Sequence, residues 1–136
     1  MRRRTKLFAG VAAGVLAVTA SAVATVVAAT PAAAASLVEV TNFGTNPSNL
    51  RMHLYVPDNV AQRPAVLVAV HYCTGSGPAF YSGTQFASLA DQYGFIVIYP
   101  SATRSGSCYD VSSQQSLTHN GGSDSRSIVS MVSFPK

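Results

Sequence analysis

The sequence predicts an α/β fold built from an antiparallel hairpin followed by a strand–helix–strand unit. Three observations carry this. "PAVLVAV", Pro64 to Val70, and "FIVIYP", Phe95 to Pro100, are short runs that are apolar on both faces. Such runs suit strands covered on two sides, as in a parallel sheet. Between them lies one segment with helical spacing, and ahead of them two runs alternate with period two.

The N-terminal segment stands outside this fold. "MRRRTKLF" carries Arg2, Arg3, Arg4 and Lys6, an apolar small-residue stretch follows, and "PAAAAS" offers an A-x-A pattern. This order predicts a secretory signal peptide over residues 1–35, cut near Ala35–Ser36. The stretch is rich in Ala, Thr and Ser rather than Leu and Ile, which disfavours a membrane anchor. The leader also holds four of the nine basic residues, so residues 36–136 keep five basic against five acidic groups. The net charge of +4 thus belongs to the leader, and neither nucleic acid nor, after cleavage, a membrane is expected as partner.

"LVEVTNFG", Leu37 to Gly44, reads as an edge strand that breaks at Asn, Gly and Pro. "NLRMHLYVP", Asn49 to Pro57, reads as its half-buried antiparallel partner. Leu50, Met52, Leu54 and Val56 fall on one face; Arg51, His53 and Tyr55 fall on the other, solvated one. The run Pro64 to Val70 is expected to be a central strand. "AFYSGTQFASLADQYG" reads as one helix, with Phe86, Leu89, Ala90 and Tyr93 at spacings of three and four and Gly94 as C-cap. A second strand, Phe95 to Pro100, completes a βαβ unit with parallel strands. A loop rich in Ser, Gly, Thr and Asn follows, and a loop of that length is expected to be pinned. A last helix starts at "SDSRSIVSMV", with Ser123 as N-cap, Asp124 in the first turn, and Ile128, Val129 and Val132 on one face.

Two cysteines, Cys73 and Cys108, in a chain marked for export predict one disulfide across the long loop. It would close about 35 residues and contribute roughly 3–4 kcal/mol. The alternative is a pairing of one of them with a cysteine outside this chain. No C-x-x-C or His/Cys cluster at ligand spacing occurs, so no metal or other cofactor is expected.

The chemistry concentrates at "HYCTGSG", His71 to Gly77, directly after the first two-faced strand. Ligands of open α/β sheets bind at the carboxyl ends of parallel strands. Small residues there let backbone N–H groups face a cleft, as a tetrahedral oxyanion requires. Cys73, or Thr74 beside it, would be the donor. The other reading is a strand-end turn carrying a disulfide cysteine. None of His53, His71 and His119 is assigned as a base. No serine stands in G-x-S-x-G, and an oxidised Cys73 is no nucleophile.

The run from Asn49 to Pro100, with "YVP", "PAVLVAVHYC" and "GFIVIYP", resembles the start of secreted esterases of the polyhydroxybutyrate-depolymerase type. That group includes acetylxylan and feruloyl esterases. "GSCYDV" and "THNGGSD" are similar to the same family. The resemblance implies an α/β-hydrolase fold, present as its N-terminal part, and ester hydrolysis through a Ser-His-Asp triad and an acyl-enzyme. It implies acetylated or feruloylated xylan, or a polyester, as substrate. It also implies that the Cys73 backbone N–H helps form the oxyanion hole. The family's nucleophile, acid and base lie beyond the segment matched here. The chain is therefore expected to be an N-terminal portion of a longer, monomeric esterase and inactive alone. A small secreted carbohydrate-binding or structural domain is the alternative of another class. The absence of Trp and the two buried runs count against it.

Overall fold

A computed structural model describes residues 35–135; the predicted leader lies almost wholly outside them. Four strands form one mixed sheet: β1 (Val38–Val40), β2 (Arg51–Tyr55), β3 (Val66–Val68) and β4 (Ile96–Ser101), in the order β1-β2-β4-β3. β1 and β2 are antiparallel, with Val38 opposite Leu54 and Val40 opposite Met52. β2 and β4 are antiparallel, whereas β3 and β4 are parallel, with Val66 opposite Ile96. The hairpin and the βαβ unit are thus both present, and β1 is an edge strand as its pattern predicts.

The alternation of β2 and β4 sorts their side chains onto two cores. Met52 and Ile98 pack with Phe43, Leu50, Ala102 and Met131 on one face. Tyr55, Val97 and Tyr99 pack with Ala69 and Ala90 on the other. The first face is covered by α4 (Asp124–Ser133). The second is covered by α1 (Gly77–Gly83) and α2 (Phe86–Tyr93).

Several expectations are corrected. β2 is not half-buried. It lies between β1 and β4 with helices over both faces, so His53 is 5% exposed rather than solvated. The strand within Pro64–Val70 is not central: only Val66–Val68 is strand, it ends the sheet, and all three residues are half-buried. The central parallel strand is β4, buried throughout. The single predicted helix is two, because the hydroxyls of Ser82 and Thr84 donate to the carbonyls of Pro78 and Phe80 and end the first. Within α2, Leu89 and Tyr93 face outward while Phe86, Ala87 and Ala90 face the sheet. Gly94 does cap α2: its φ is 72° and its N–H donates to Ala90 O at 2.7 Å. In α4 the fully buried residues are Asp124, Ser127 and Met131; Ile128 and Val132 pack on the core as expected, and of that predicted face only Val129 is exposed.

The long loop is not structureless. It holds a short 3-10 turn at Ser105–Ser107 and the single-turn helix α3 (Gln114–Leu117). Its ends leave β4 and enter α4, so the loop lies off the carboxyl end of β4. Residues 69–76 leave the carboxyl end of β3. The two strands are parallel, so both segments gather at one end of the sheet.

Candidate active site

The loop after β3 is organised by a tight turn from Tyr72 to Gly75, closed by Gly75 N–H donating to Tyr72 O at 3.0 Å. Thr74 has φ 67° and Cys73 does not share the positive φ, which is the type II pattern. The third position of such a turn favours Gly or Asn. A β-branched residue there costs about 1–2 kcal/mol, so the surroundings must hold it.

They hold it from the long loop. The Thr74 amide donates to Gly106 O at 2.8 Å. Cys73 and Cys108 form the predicted disulfide. The two bonds join neighbouring residues on each side and clamp the turn to the 106–108 segment. This separates the two candidate oxyanion donors. The Thr74 amide is engaged by Gly106 O. The Cys73 amide donates to no other group among the described residues, and Cys73 is exposed.

His71 sits beneath the turn and is 3% exposed. Ala102 N–H donates to its Nε2 at 3.2 Å, and Tyr72 O lies 2.6 Å from its Nδ1. The carbonyl can only accept, so Nδ1 carries the proton and Nε2 is the acceptor. Both nitrogens are engaged, and the ring lies against Tyr109, 4.9 Å between centroids. His71 therefore orients the loop and has no lone pair left for a substrate. His53 is equally enclosed: its Nδ1 is 3.3 Å from Tyr99 O, and burial pushes its pKa below the ordinary value. His119 is exposed in the long loop.

Downstream of the turn, α1 docks directly on β4. A Cβ on Gly77 would stand 2.5 Å from Tyr99 O and 2.9 Å from His53 Nδ1, so only glycine fits. The Gly77 N–H donates to Ser101 Oγ at 2.7 Å. Ser76 caps α1 by accepting from Ala79 N–H at 3.3 Å.

The long loop is fixed by charge as well as by the disulfide. Asp124, 2% exposed, receives both arms of the Arg104 guanidinium at 2.8 and 2.6 Å and the Asp110 amide at 2.6 Å. Arg104 also donates to Cys108 O at 3.1 Å. The Asp110 carboxylate accepts from the Ser113 hydroxyl, the Ser123 hydroxyl at 2.6 Å and the amides of Ser112 and Ser113. These bonds, the serine hydroxyls foremost, hold it well below the usual carboxylate range. Ser123 stands at the N-cap of α4, yet its hydroxyl serves Asp110 instead of the helix.

Sequence reasoning missed Gly106, Arg104 and Asp110. Arg104 and Asp124 are twenty positions apart in an aperiodic segment, and no local pattern marks such a pair. Among the described residues, no group of three or more His, Cys, Asp or Glu side chains is placed to hold a metal ion.

Residues 50–134 match the protein family described as Esterase PHB depolymerase. The chain is 60% identical over 99 residues to the probable acetylxylan esterase A of Neosartorya fischeri, covering 73% of this chain and 27% of the relative. It is 58% identical over 99 residues to the acetylxylan esterase A of Aspergillus awamori, covering 73% and 33%. The solved acetyl xylan esterase of Aspergillus awamori superposes with a TM-score of 0.71 at 57% identity, covering 73% of this chain and 36% of that one. The chain thus spans between about a quarter and about a third of the length of these relatives.

Proposed function

The chain belongs to the esterase PHB depolymerase family, and from that premise we propose that it is part of a secreted carboxylic ester hydrolase acting on acetylated xylan. The observation that carries the site assignment is that the amide of Cys73, an exposed residue just beyond the end of a parallel strand, donates to no other group among the described residues. When a nucleophile adds to an ester carbonyl, the carbonyl oxygen takes the negative charge. A preorganised N–H aimed at that oxygen lowers the barrier because it need not reorient during the reaction. The double clamp on residues 73 and 74 supplies that rigidity, and the engaged nitrogens of His71 fix the loop from beneath.

The substrate assignment to acetyl rather than feruloyl or hydroxybutyrate esters draws on the names of the relatives. Secretion draws on the basic, apolar and small-residue order of residues 1–35. No residue of this chain is assigned as nucleophile, acid or base, since none of its serines stands in G-x-S-x-G. The serine mechanism belongs to the family resemblance.

The test is a hybrid in which residues 50–133 replace the matching segment of the Aspergillus awamori enzyme. It is expected to hydrolyse acetylated xylan within about tenfold of that enzyme, or about 1.4 kcal/mol of barrier. A folded hybrid without turnover would overturn the proposal.

A further inference from the structure

A cleft of about 310 Å3 lies between α3 and the outer side of α4, lined among others by Leu117, Thr118, His119, Asn120, Arg126 and Val129. Two of its walls are apolar and open to water: Leu117 is 69% exposed and Val129 55%. The others are donors and acceptors of hydrogen bonds. Arg126 is half-buried, and among the described residues its guanidinium meets neither a carboxylate nor a hydrogen-bond acceptor. Nearby acids are already occupied: Asp124 holds Arg104, and Asp110 holds serine hydroxyls. The cleft therefore offers a fork of N–H donors, a ring N–H and an amide beside an apolar surface, while the Thr118 hydroxyl is engaged by Gln114.

That combination matches a sugar ring bearing a carboxylate. Arg pairs with carboxylates in a planar, two-bonded geometry. The amide of Asn120 suits ring hydroxyls, and Leu117 and Val129 suit the apolar face of a pyranose. The cleft is lined by α3 and the turn after it on one side and by Ser125, Arg126 and Val129 of α4 on the other. The geometry points to a subsite for a uronate substituent on the polysaccharide, an inference that rests on the xylan-esterase reading above. A free small carboxylate, such as released acetate, shares the charge but not the ring.

The test is a titration of the isotope-labelled full chain with three probes at matched ionic strength. They are a xylo-oligosaccharide with one glucuronic acid branch, the same oligosaccharide unbranched, and sodium acetate. The branched sugar is expected to shift the amide resonances of residues 117–120 and 126 and to bind at least about tenfold more tightly than either control. Arg126→Gln is expected to erase that preference, and Arg126→Lys to keep part of it. Resonance dispersion checks that both variants are folded. Equal binding of the unbranched sugar or of acetate, no binding of the branched one, or an unchanged preference in Arg126→Gln overturns the subsite. An active hybrid esterase without uronate preference removes the subsite alone; an inactive hybrid with the preference intact removes the esterase reading alone.

Discussion

The Thr74 amide and the Gly106 carbonyl, 32 positions apart, are joined at 2.8 Å, and the disulfide from Cys73 to Cys108 runs alongside. One bond engages the Thr74 amide and the other ties down the residue whose amide is proposed as the oxyanion donor. Cys73 stands at the second position of a type II turn, where proline also fits. In the hybrid enzyme, Cys73→Ala keeps the N–H and loses the disulfide; Cys73→Pro loses both. Proline is expected to lower kcat by about 10²–10³ relative to alanine. Equal kcat values for the two variants would exclude this amide as an oxyanion donor.

The same turn holds a threonine at φ 67°, and among the described residues its side chain makes no hydrogen bond. Thr74→Asn relieves the β-branched crowding and keeps the N–H to Gly106. It is expected to stabilise the fold by about 0.5–1 kcal/mol, read from the urea midpoint at constant m-value.

The disulfide spans 35 positions. By the loop-entropy relation, the double variant Cys73→Ala, Cys108→Ala is expected to lose about 4 kcal/mol of stability. Denaturant titrations of the oxidised and variant chains check it; a loss below about 1 kcal/mol would mean that the ion pair and hydrogen bonds hold the loop unaided.

Arg104 and Arg51 give an internal contrast. Arg104 meets a carboxylate that is 3% exposed, while Glu39 of the Arg51 pair is 39% exposed. Removing Arg104 leaves Asp124 buried and short of donors. With a discount for the 39% exposure of the arginine itself, Arg104→Ala is expected to cost about 2 kcal/mol. It should also speed hydrogen exchange of the Thr74 amide. Arg51→Ala is expected to leave both measurements unchanged.

His53 makes stability depend on pH. Burial disfavours its charged form, so its folded pKa lies below the ordinary 6.5. Between those two values the unfolded chain binds more protons than the folded one, and stability falls as pH falls. Its contribution is complete above the unfolded pKa and declines below it. Denaturation at pH 7.5 and 5.5 should show the loss in the wild type and a smaller one in His53→Gln. An identical pH dependence in both would assign it to another group.

Gly77→Ala is expected to prevent folding or cost upwards of about 3 kcal/mol, because the methyl would meet backbone oxygen of the central strand. A circular dichroism melt decides it.

Much of the fold was legible. Phe95–Pro100 reads as a fully covered strand because the run is apolar on both faces, and the observed strand Ile96–Ser101 is buried throughout. Val38–Val40 and Arg51–Tyr55 pair because alternation and an Asn-Pro-Ser turn specify a hairpin. Gly94 ends a helix for a reason internal to its own backbone. The loop of Cys73 was legible as a place, since small residues at the end of a strand leave amides uncovered.

Its wiring was not. Local pattern speaks of neighbours a few positions apart, and the decisive contacts here join residues twenty to fifty apart. His53 reads as solvated on its own strand. Only the arrival of α1, admitted by Gly77, buries it. Thr74 and Cys73 are equivalent candidates on paper, and the carbonyl of Gly106 separates them. The amino-acid order alone determined the four strands, the hairpin, the parallel unit and the last helix, because these follow from side-chain periodicity and backbone preference. The tertiary structure decided which amide is free, which histidines are closed off and which strand ends the sheet, because those depend on what the chain brings back from a distance.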